Sequence, residues 1–179
     1  MAAAVQQKGY AKTTISDIAR HARVSKRTFY SVFPDKEACL LATYADNAQR
    51  LTSHVEEVLA QPGPRPERLG AAVEAYLGWL ADQPAVTRTH MLEIYAAGEQ
   101  GFAVRRSAQV RWADLIARFV EADPARDPSA PGLSSATVSA VAGGIAELVL
   151  EQVEQGRTAE LRRLKEDIVG FIEMLTGST

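Results

Sequence analysis

The sequence predicts an all-α protein of about nine helices, and three observations support this class. Apolar residues recur at spacings of three and four along almost the whole chain, which places them on one face of a helix. No stretch shows the sustained alternation of apolar and polar residues that is typical of a strand. Prolines and glycines divide the pattern into segments of helical length.

The first fifty residues predict three short helices and the start of a fourth. Breaks fall at Gly9, at the segment 23–25 and at Pro34. Thr14 can cap the second helix, because Asp17 stands three residues later and can return a bond to the backbone. Ser25 can cap the third helix in the same way.

A long fourth helix is predicted to start at Asp35 and to continue to about Ala60. The proline-rich segment 62–66 ends it, because proline cannot continue a helix. We therefore expect a domain of residues 1–44, whose first helix is truncated, followed by a domain of residues 45–179.

The second domain predicts further amphipathic helices with one long loop between them. Prolines and glycines at 124, 128, 131 and 132 indicate the loop, over residues 123–133. The predicted helices cover residues 69–84, 86–97, 104–119, 138–153 and 161–175.

The charge is distributed unevenly, although the whole chain carries only −2. Residues 1–50 contain eight Lys and Arg against four Asp and Glu, a net charge of +4. Residues 51–179 contain twelve against eighteen, a net charge of −6. Only the first part is therefore electrostatically suited to bind phosphate.

Targeting and redox signals are few. No uninterrupted apolar run approaches the eighteen or so residues that a membrane span requires, and the N-terminus lacks the pattern of a signal peptide. We therefore expect a cytoplasmic protein without a membrane partner. The single cysteine, Cys39, lies in a helical pattern and is expected to be a packing residue.

The third helix is predicted to contact base edges in the major groove of DNA. Its first turn presents Lys26, Arg27 and Thr28, and the helix before it would hold it in position. The capped helix starts also offer free backbone N–H groups to phosphates. The predicted DNA-binding residues are Thr14, Ser25, Lys26, Arg27, Thr28, Tyr30 and Lys36. A small core would hold the helices together: Ile15, Ile18, Ala19, Val24, Phe29, Val32 and Phe33.

Residues 13–36, TTISDIARHARVSKRTFYSVFPDK, resemble the DNA-binding signature of the TetR family of bacterial transcriptional repressors. Three positions depart from that signature: Val5 replaces a core aromatic residue, Arg23 replaces a turn glycine, and Arg27 replaces a common glycine. The resemblance implies a homodimer that binds an operator in double-stranded DNA. It also implies a small-molecule ligand that binds the second domain, changes the angle of the long helix and releases the DNA.

Apolar and aromatic side chains between residues 69 and 120 predict where the ligand would bind. Such side chains suit an apolar or aromatic molecule, although each could equally belong to the core. The candidate ligand residues are Tyr76, Trp79, Met91, Tyr95, Trp112 and Phe119.

The last two helices predict the dimer interface, as a four-helix bundle shared between two subunits. Gly143 and Gly144 would allow close packing. The candidate interface residues are Val141, Ile145, Leu148, Leu164, Ile168, Phe171 and Leu175.

Two other classes of function stay open, an enzyme and a helical adaptor that does not bind DNA. His21, His54 and His90 lie in different predicted helices without metal-ligand spacing, and no phosphate-binding glycine loop or nucleophile elbow is present. We therefore expect no catalytic residue, metal or cofactor. The adaptor does not explain why positive charge collects in the first fifty residues.

Overall fold

The computed structural model describes residues 1–123 and 132–174, and within these the protein is entirely helical. This confirms the predicted fold class. The helices are α1 (Ala2–Lys12), α2 (Ile15–Ala22), α3 (Lys26–Tyr30), α4 (Lys36–Leu59), α5 (Arg65–Asp82), α6 (Pro84–Met91), α7 (Gly98–Glu121), α8 (Ser135–Glu154) and α9 (Lys165–Glu173). Two 3₁₀ segments, Glu93–Ala97 and Thr158–Leu164, precede α7 and α9. Most of the predicted loop 123–133 lies outside the described residues.

Helix α4 matches its prediction closely because both of its ends carry strong local signals. The Asp35 side chain accepts a hydrogen bond from the Ala38 N–H at 2.8 Å and caps the start. The helix ends at Leu59, and Ala60 is its C-terminal capping residue, just before the proline-rich segment. The result is one uninterrupted helix of 24 residues.

Three apolar clusters hold the helices together. The largest lies among α4, α5, α7, α8 and α9, and it contains the fully buried Leu77, Val149 and Leu161. A second joins α1 and α4 to the first 3₁₀ segment and α7, through Tyr10, Leu40, Tyr44, Ile94 and Ala108. The third and smallest contains Ala4, Ile18, Phe29 and Cys39, as expected for a packing cysteine. The second cluster crosses the predicted boundary at residue 44, so α1 and the first half of α4 pack directly on the second domain.

Gly101 marks the closest approach between α7 and the 3₁₀ segment before it. A Cβ atom added at this position would lie only 2.1 Å from the carbonyl oxygen of Ile94. Only glycine allows the two elements to meet at this distance.

Helix α8 is, among the described residues, the single helix whose length and composition would allow it to cross a membrane. A third of its most apolar window is buried inside the protein. It packs against α7 as a member of the helical bundle, and core helices of bundles have the same composition.

The small core around α2 and α3 corrects two sequence predictions. Ile18, Ala19 and Phe29 are buried, and Ile15 and Phe33 are partly buried against them. Val24 and Val32, by contrast, are 40% and 65% exposed. Both lie in the turns that flank the five-residue α3, where helical periodicity no longer determines which way a side chain points.

Arg23 adopts the left-handed backbone conformation, with φ 56° and ψ 39°, at the end of α2. Within the described residues it is the only residue other than glycine with a positive φ. The Arg23→Gly variant should therefore raise the free energy of unfolding by about 1 kcal/mol, because glycine adopts this conformation without steric cost. Urea denaturation followed by circular dichroism measures the change.

Ala71→Gly is the matched control for this prediction, because Ala71 is exposed in the middle of α5. It should lower the free energy of unfolding by about 1 kcal/mol. Equal destabilisation by both glycine variants would contradict the argument for strain at Arg23.

Candidate nucleic-acid interface and internal cavity

The start of α2 is fixed by the predicted capping box. The Asp17 N–H donates to the Thr14 hydroxyl at 3.3 Å, and the Thr14 N–H donates to the Asp17 carboxylate at 2.9 Å. Lys8 reaches the same carboxylate at 2.6 Å. Its hydrogen bond and those from Thr14 hold the pKa of Asp17 well below its usual range. The Thr14 side chain is exposed and lies at the positive end of the helix.

Helix α3 presents its cationic first turn to solvent. The Ser25 hydroxyl accepts the Thr28 N–H at 3.0 Å, which caps the helix as predicted. Lys26, Arg27 and Thr28 are all exposed. Neither Lys26 nor Arg27 makes an ion pair with any described residue. Both long side chains are therefore free to contact an external partner.

Tyr30 is held at the end of α3 by an aromatic contact. Its ring meets the buried Phe29 edge to face, with centroids 5.7 Å apart, and Phe29 in turn packs on Phe33 at 5.6 Å. The Tyr30 side chain nevertheless stays 56% exposed. This arrangement fixes the position of the ring while leaving its hydroxyl group accessible.

Lys36 differs from the other candidate DNA-binding residues, because its amino group is directed inward. The Nζ atom donates to the carbonyl oxygens of Tyr10, Ala11 and Thr13 at 3.1, 3.3 and 3.2 Å, respectively. It also lies 4.4 Å from the centroid of the Tyr10 ring. These carbonyl groups lie at the end of α1, so the charge of Lys36 stabilises the end of α1. An intramolecular contact thus takes the place of the predicted phosphate contact.

Among the described residues, two polar contacts join α1 and the first half of α4 to the second domain. The Tyr10 N–H, after the kink at Gly9, donates to the Glu93 carboxylate at 3.0 Å. The His90 ring stacks on Tyr44, and its Nε2 atom lies 3.1 Å from the Tyr44 carbonyl oxygen. Burial lowers the pKa of His90, which favours the neutral ring.

An apolar cavity of about 80 Å³ lies within the largest cluster. Helices α4, α5, α7, α8 and α9 all contribute to its wall. Three of the six predicted ligand residues line it, namely Tyr76, Trp112 and Phe119. Tyr76 and Trp112 meet edge to face at 5.1 Å. Burial raises the pKa of Tyr76 far above its usual value, so its hydroxyl group stays protonated.

The other three predicted ligand residues do not line the cavity. Trp79 packs on His54 at 5.5 Å, Tyr95 packs on Phe102 at 5.5 Å, and Met91 lies at the edge of the main cluster. The prediction for these three is therefore not supported. Sequence reasoning missed most of the wall, which is aliphatic and includes Val55, Leu59, Ala142, Ile145 and Ile172. No sequence signal separates such residues from ordinary core.

The predicted dimer residues face mostly inward. Val141, Ile145 and Ile168 are 3%, 8% and 1% exposed, and they belong to the core of the protomer itself. Leu148, Leu164 and Phe171 are half-buried, while Leu175 lies outside the described residues. Gly144 allows the close approach of Phe171 of the same chain, since a Cβ atom there would lie 2.9 Å from its ring. The buried residues are thus corrected to core residues.

Sequence comparison assigns the N-terminal helices to a known family. Residues 2–43 match the model of bacterial regulatory proteins of the tetR family. The HTH-type transcriptional regulator EthR of Mycolicibacterium smegmatis is 25% identical over 122 residues, which cover 68% of this chain and 52% of that protein. The match thus spans about half the length of the curated relative.

Solved structures share the fold over almost the whole chain. FadR from Bacillus subtilis, in complex with stearoyl-CoA, has a TM-score of 0.81 at 17% identity and covers 96% of this chain and 92% of its own. The fatty acid degradation regulator FadR from Bacillus halodurans also has a TM-score of 0.81 at 17% identity, with 99% and 95% covered. A tetR-family regulatory protein from Rhodococcus has a TM-score of 0.71 at 21% identity, with 97% and 91% covered.

The N-terminal helices are thus similar to those of tetR-family regulatory proteins, and the fold of the described residues is similar to that of the solved regulators. Residues 2–43 carry the N-terminal segment shared by bacterial regulatory proteins of the tetR family.

The geometry at Lys36 generates a stability prediction. Lys36→Met should lower the free energy of unfolding by about 2 kcal/mol, because three carbonyl groups lose a charged donor. Lys26→Met is the matched control and should leave stability within about 0.5 kcal/mol, since Lys26 is exposed. Thermal and urea denaturation measure both values. If both variants were equally stable, Lys36 would not stabilise the end of α1.

Proposed function

We propose that this protein is a homodimeric transcriptional repressor that binds operator DNA through α2 and α3 and is released by a ligand with an apolar chain. The observation that carries the proposal is the continuity of α4. Its first turns pack against α1 and α3, and its last turns supply Val55 and Leu59 to the cavity wall. A ligand that enlarges the cavity must therefore press on the helix that positions the candidate DNA interface.

The DNA-binding half of the proposal rests on exposure and charge. Lys26 and Arg27 extend from the first turn of a helix that is capped, short and supported by α2. This is the geometry by which a recognition helix reads base edges in the major groove. Thr14 at the start of α2, and Ser25, Thr28 and Tyr30 at or within α3, are exposed as well, so they are proposed to contact phosphates.

The ligand half rests on the chemistry of the cavity wall. Its fourteen lining residues carry one hydroxyl group, that of Tyr76, and one indole N–H, that of Trp112, and are otherwise hydrocarbon. Such a wall favours a hydrocarbon chain over a sugar or nucleotide. Stearoyl-CoA bound to the FadR structure has a chain of this kind. We therefore propose a fatty acyl compound as the ligand class.

The proposed mechanism couples the two halves through the ends of α4. A cavity of about 80 Å³ is smaller than a usual ligand site of roughly 300 Å³ or more, so binding must move the surrounding helices apart. Movement of the last turns of α4 would shift α1 to α3 as a unit, because the second cluster ties α1 to α4. In a dimer this shift would change the distance between the two recognition helices.

The dimer is proposed to form through the outward faces of α8 and α9. The outward residues include Ala140 and Glu147 on α8, Gly170 on α9, and Met174, which is 73% exposed. The half-buried Leu148 borders this face. Small residues on a helix face permit close helix packing, as a four-helix bundle between subunits requires.

The first prediction from this proposal concerns DNA. Lys26→Ala and Arg27→Ala should each weaken binding to a specific operator by about 1 to 3 kcal/mol, because a base contact is lost. Footprinting on the DNA upstream of the protein's own gene identifies a site, and fluorescence anisotropy then measures affinity. Arg157→Ala, which removes one positive charge beyond the end of α8, should leave that affinity within twofold. Unchanged operator affinity in a Lys26/Arg27 double variant would contradict the assignment.

The second prediction concerns release by ligand. Ala142→Leu should raise the concentration of dodecanoyl-CoA needed to release the operator at least tenfold, because three added carbon atoms fill the cavity that Ala142 lines. Ala140→Leu is the matched control, since Ala140 is exposed on the same helix. It should release normally, and both variants should bind DNA normally without ligand. Normal release from Ala142→Leu would place the ligand elsewhere.

A further inference from the structure

Two arginines at the start of α5 lie against the outside of the cavity wall. The guanidinium carbon of Arg65 is 4.3 Å from the centroid of the Phe119 ring, and that of Arg68 is 6.0 Å from it. Phe119 also lines the cavity, together with Leu69 of the same helix as the arginines. A single aromatic side chain thus stands between the apolar space and two positive charges.

Several donors of these arginines are buried without an acceptor. The Nε and Nη2 atoms of Arg65 and the Nε atom of Arg68 have no hydrogen-bond partner among the described residues. Arg65 does form an ion pair with Asp123, but at 3.4 Å it lacks hydrogen-bond geometry and leaves Nε unsatisfied. Buried unsatisfied donors are rare in native proteins, because each one loses its hydration without replacement.

We propose that Arg65 and Arg68 form a subsite for the anionic head of a ligand whose hydrocarbon chain occupies the cavity. This inference rests on the proposed function, and it adds a charged head group to the ligand class. A carboxylate or phosphate oxygen would supply the acceptors that the buried N–H groups lack, and guanidinium groups bind both kinds of anion in bidentate fashion. Rotation of the Phe119 ring would connect the head-group subsite to the cavity.

The charge balance of the site favours an anion. Within residues 1–123 and 132–174, the ion pairs of the two guanidinium groups involve one carboxylate, that of Asp123, so positive charge exceeds negative charge in these pairs beside an apolar wall. The rest of residues 51–179 is net negative, so this local excess of positive charge contrasts with its surroundings. The second domain has another group of arginines, at positions 105, 106 and 111, but none of them lines the cavity.

The test uses the intrinsic fluorescence of Trp112, which lines the cavity. In a Trp79→Phe background Trp112 is the only tryptophan, since the chain has two. Dodecanoate, dodecanoyl-CoA and dodecanol are titrated into the full-length protein. The three probes share one chain length and differ in the head: a carboxylate, phosphates on a thioester-linked group, or a neutral hydroxyl.

The Arg65→Gln/Arg68→Gln variant should bind dodecanoate, dodecanoyl-CoA or both at least tenfold more weakly, because charged hydrogen bonds are lost. Its affinity for dodecanol should stay within twofold. The probe that loses affinity identifies whether the head is a carboxylate or a phosphate. Arg106→Gln, which removes an exposed charge from α7, is the matched control and should leave all three affinities unchanged.

Two results would overturn the subsite. One is an unchanged affinity of the double variant for both anionic probes, and the other is an equal loss of affinity for all three probes. If the double variant does not fold, Arg68→Gln alone serves, because Arg68 makes no ion pair with a described residue. If none of the three probes alters Trp112 fluorescence in the Trp79→Phe protein that retains Arg65 and Arg68, the proposed cavity ligand would instead be overturned.

Discussion

The rest of the structure depends on the continuity of α4. At about 1.5 Å per residue its 24 residues extend roughly 36 Å, and each end belongs to a different apolar cluster. A continuous hydrogen-bonded helix without a proline bends only gently along its length, so a displacement at one end would be transmitted to the other. Asp35 and the proline-rich segment 62–66 define where this rigid element begins and ends.

The region between the two end clusters combines apolar packing with a few polar contacts that depend on geometry. Glu93 binds a backbone N–H at the kink of α1, and His90 meets the Tyr44 carbonyl group. Burial also raises the pKa of Tyr44 to about 12, so its ring packs as a neutral group. Contacts of this kind are directional, and they fix the angle at which α1 to α4 sit on the second domain more narrowly than apolar burial would.

Local signals in the sequence were sufficient to predict the helices and their caps. Thr14, Ser25 and Asp35 cap helices because their side chains bond to a backbone N–H three residues away, and this information lies within a few positions of the chain. The left-handed turn at Arg23 was instead implied by the family resemblance, in which a glycine usually stands at this position. The DNA-binding side chains could be proposed because they stand at fixed positions relative to those caps.

What a buried residue packs against could not be predicted from periodicity. Ile145 and Ile168 lie on apolar faces, as the pattern indicated, but these faces contact the protomer's own core and cavity rather than an exposed surface. Trp79 and Trp112 both lie in predicted amphipathic helices, yet of these two residues only Trp112 lines the cavity. The amino group of Lys36 turns inward because three carbonyl groups end nearby, and that arrangement arises only when α1 and α4 meet.

The small volume of the cavity has a kinetic consequence. If a ligand with a long hydrocarbon chain enters only when the helices have separated, the binding-competent state is a minor population of the free protein. The apparent affinity is then weaker than the intrinsic affinity in proportion to the fraction that is open. The observed association rate would level off at high ligand concentration, at the rate of opening. The time needed to respond to ligand would thus be determined by the packing of α4, α5 and α7 around an 80 Å³ space rather than by diffusion.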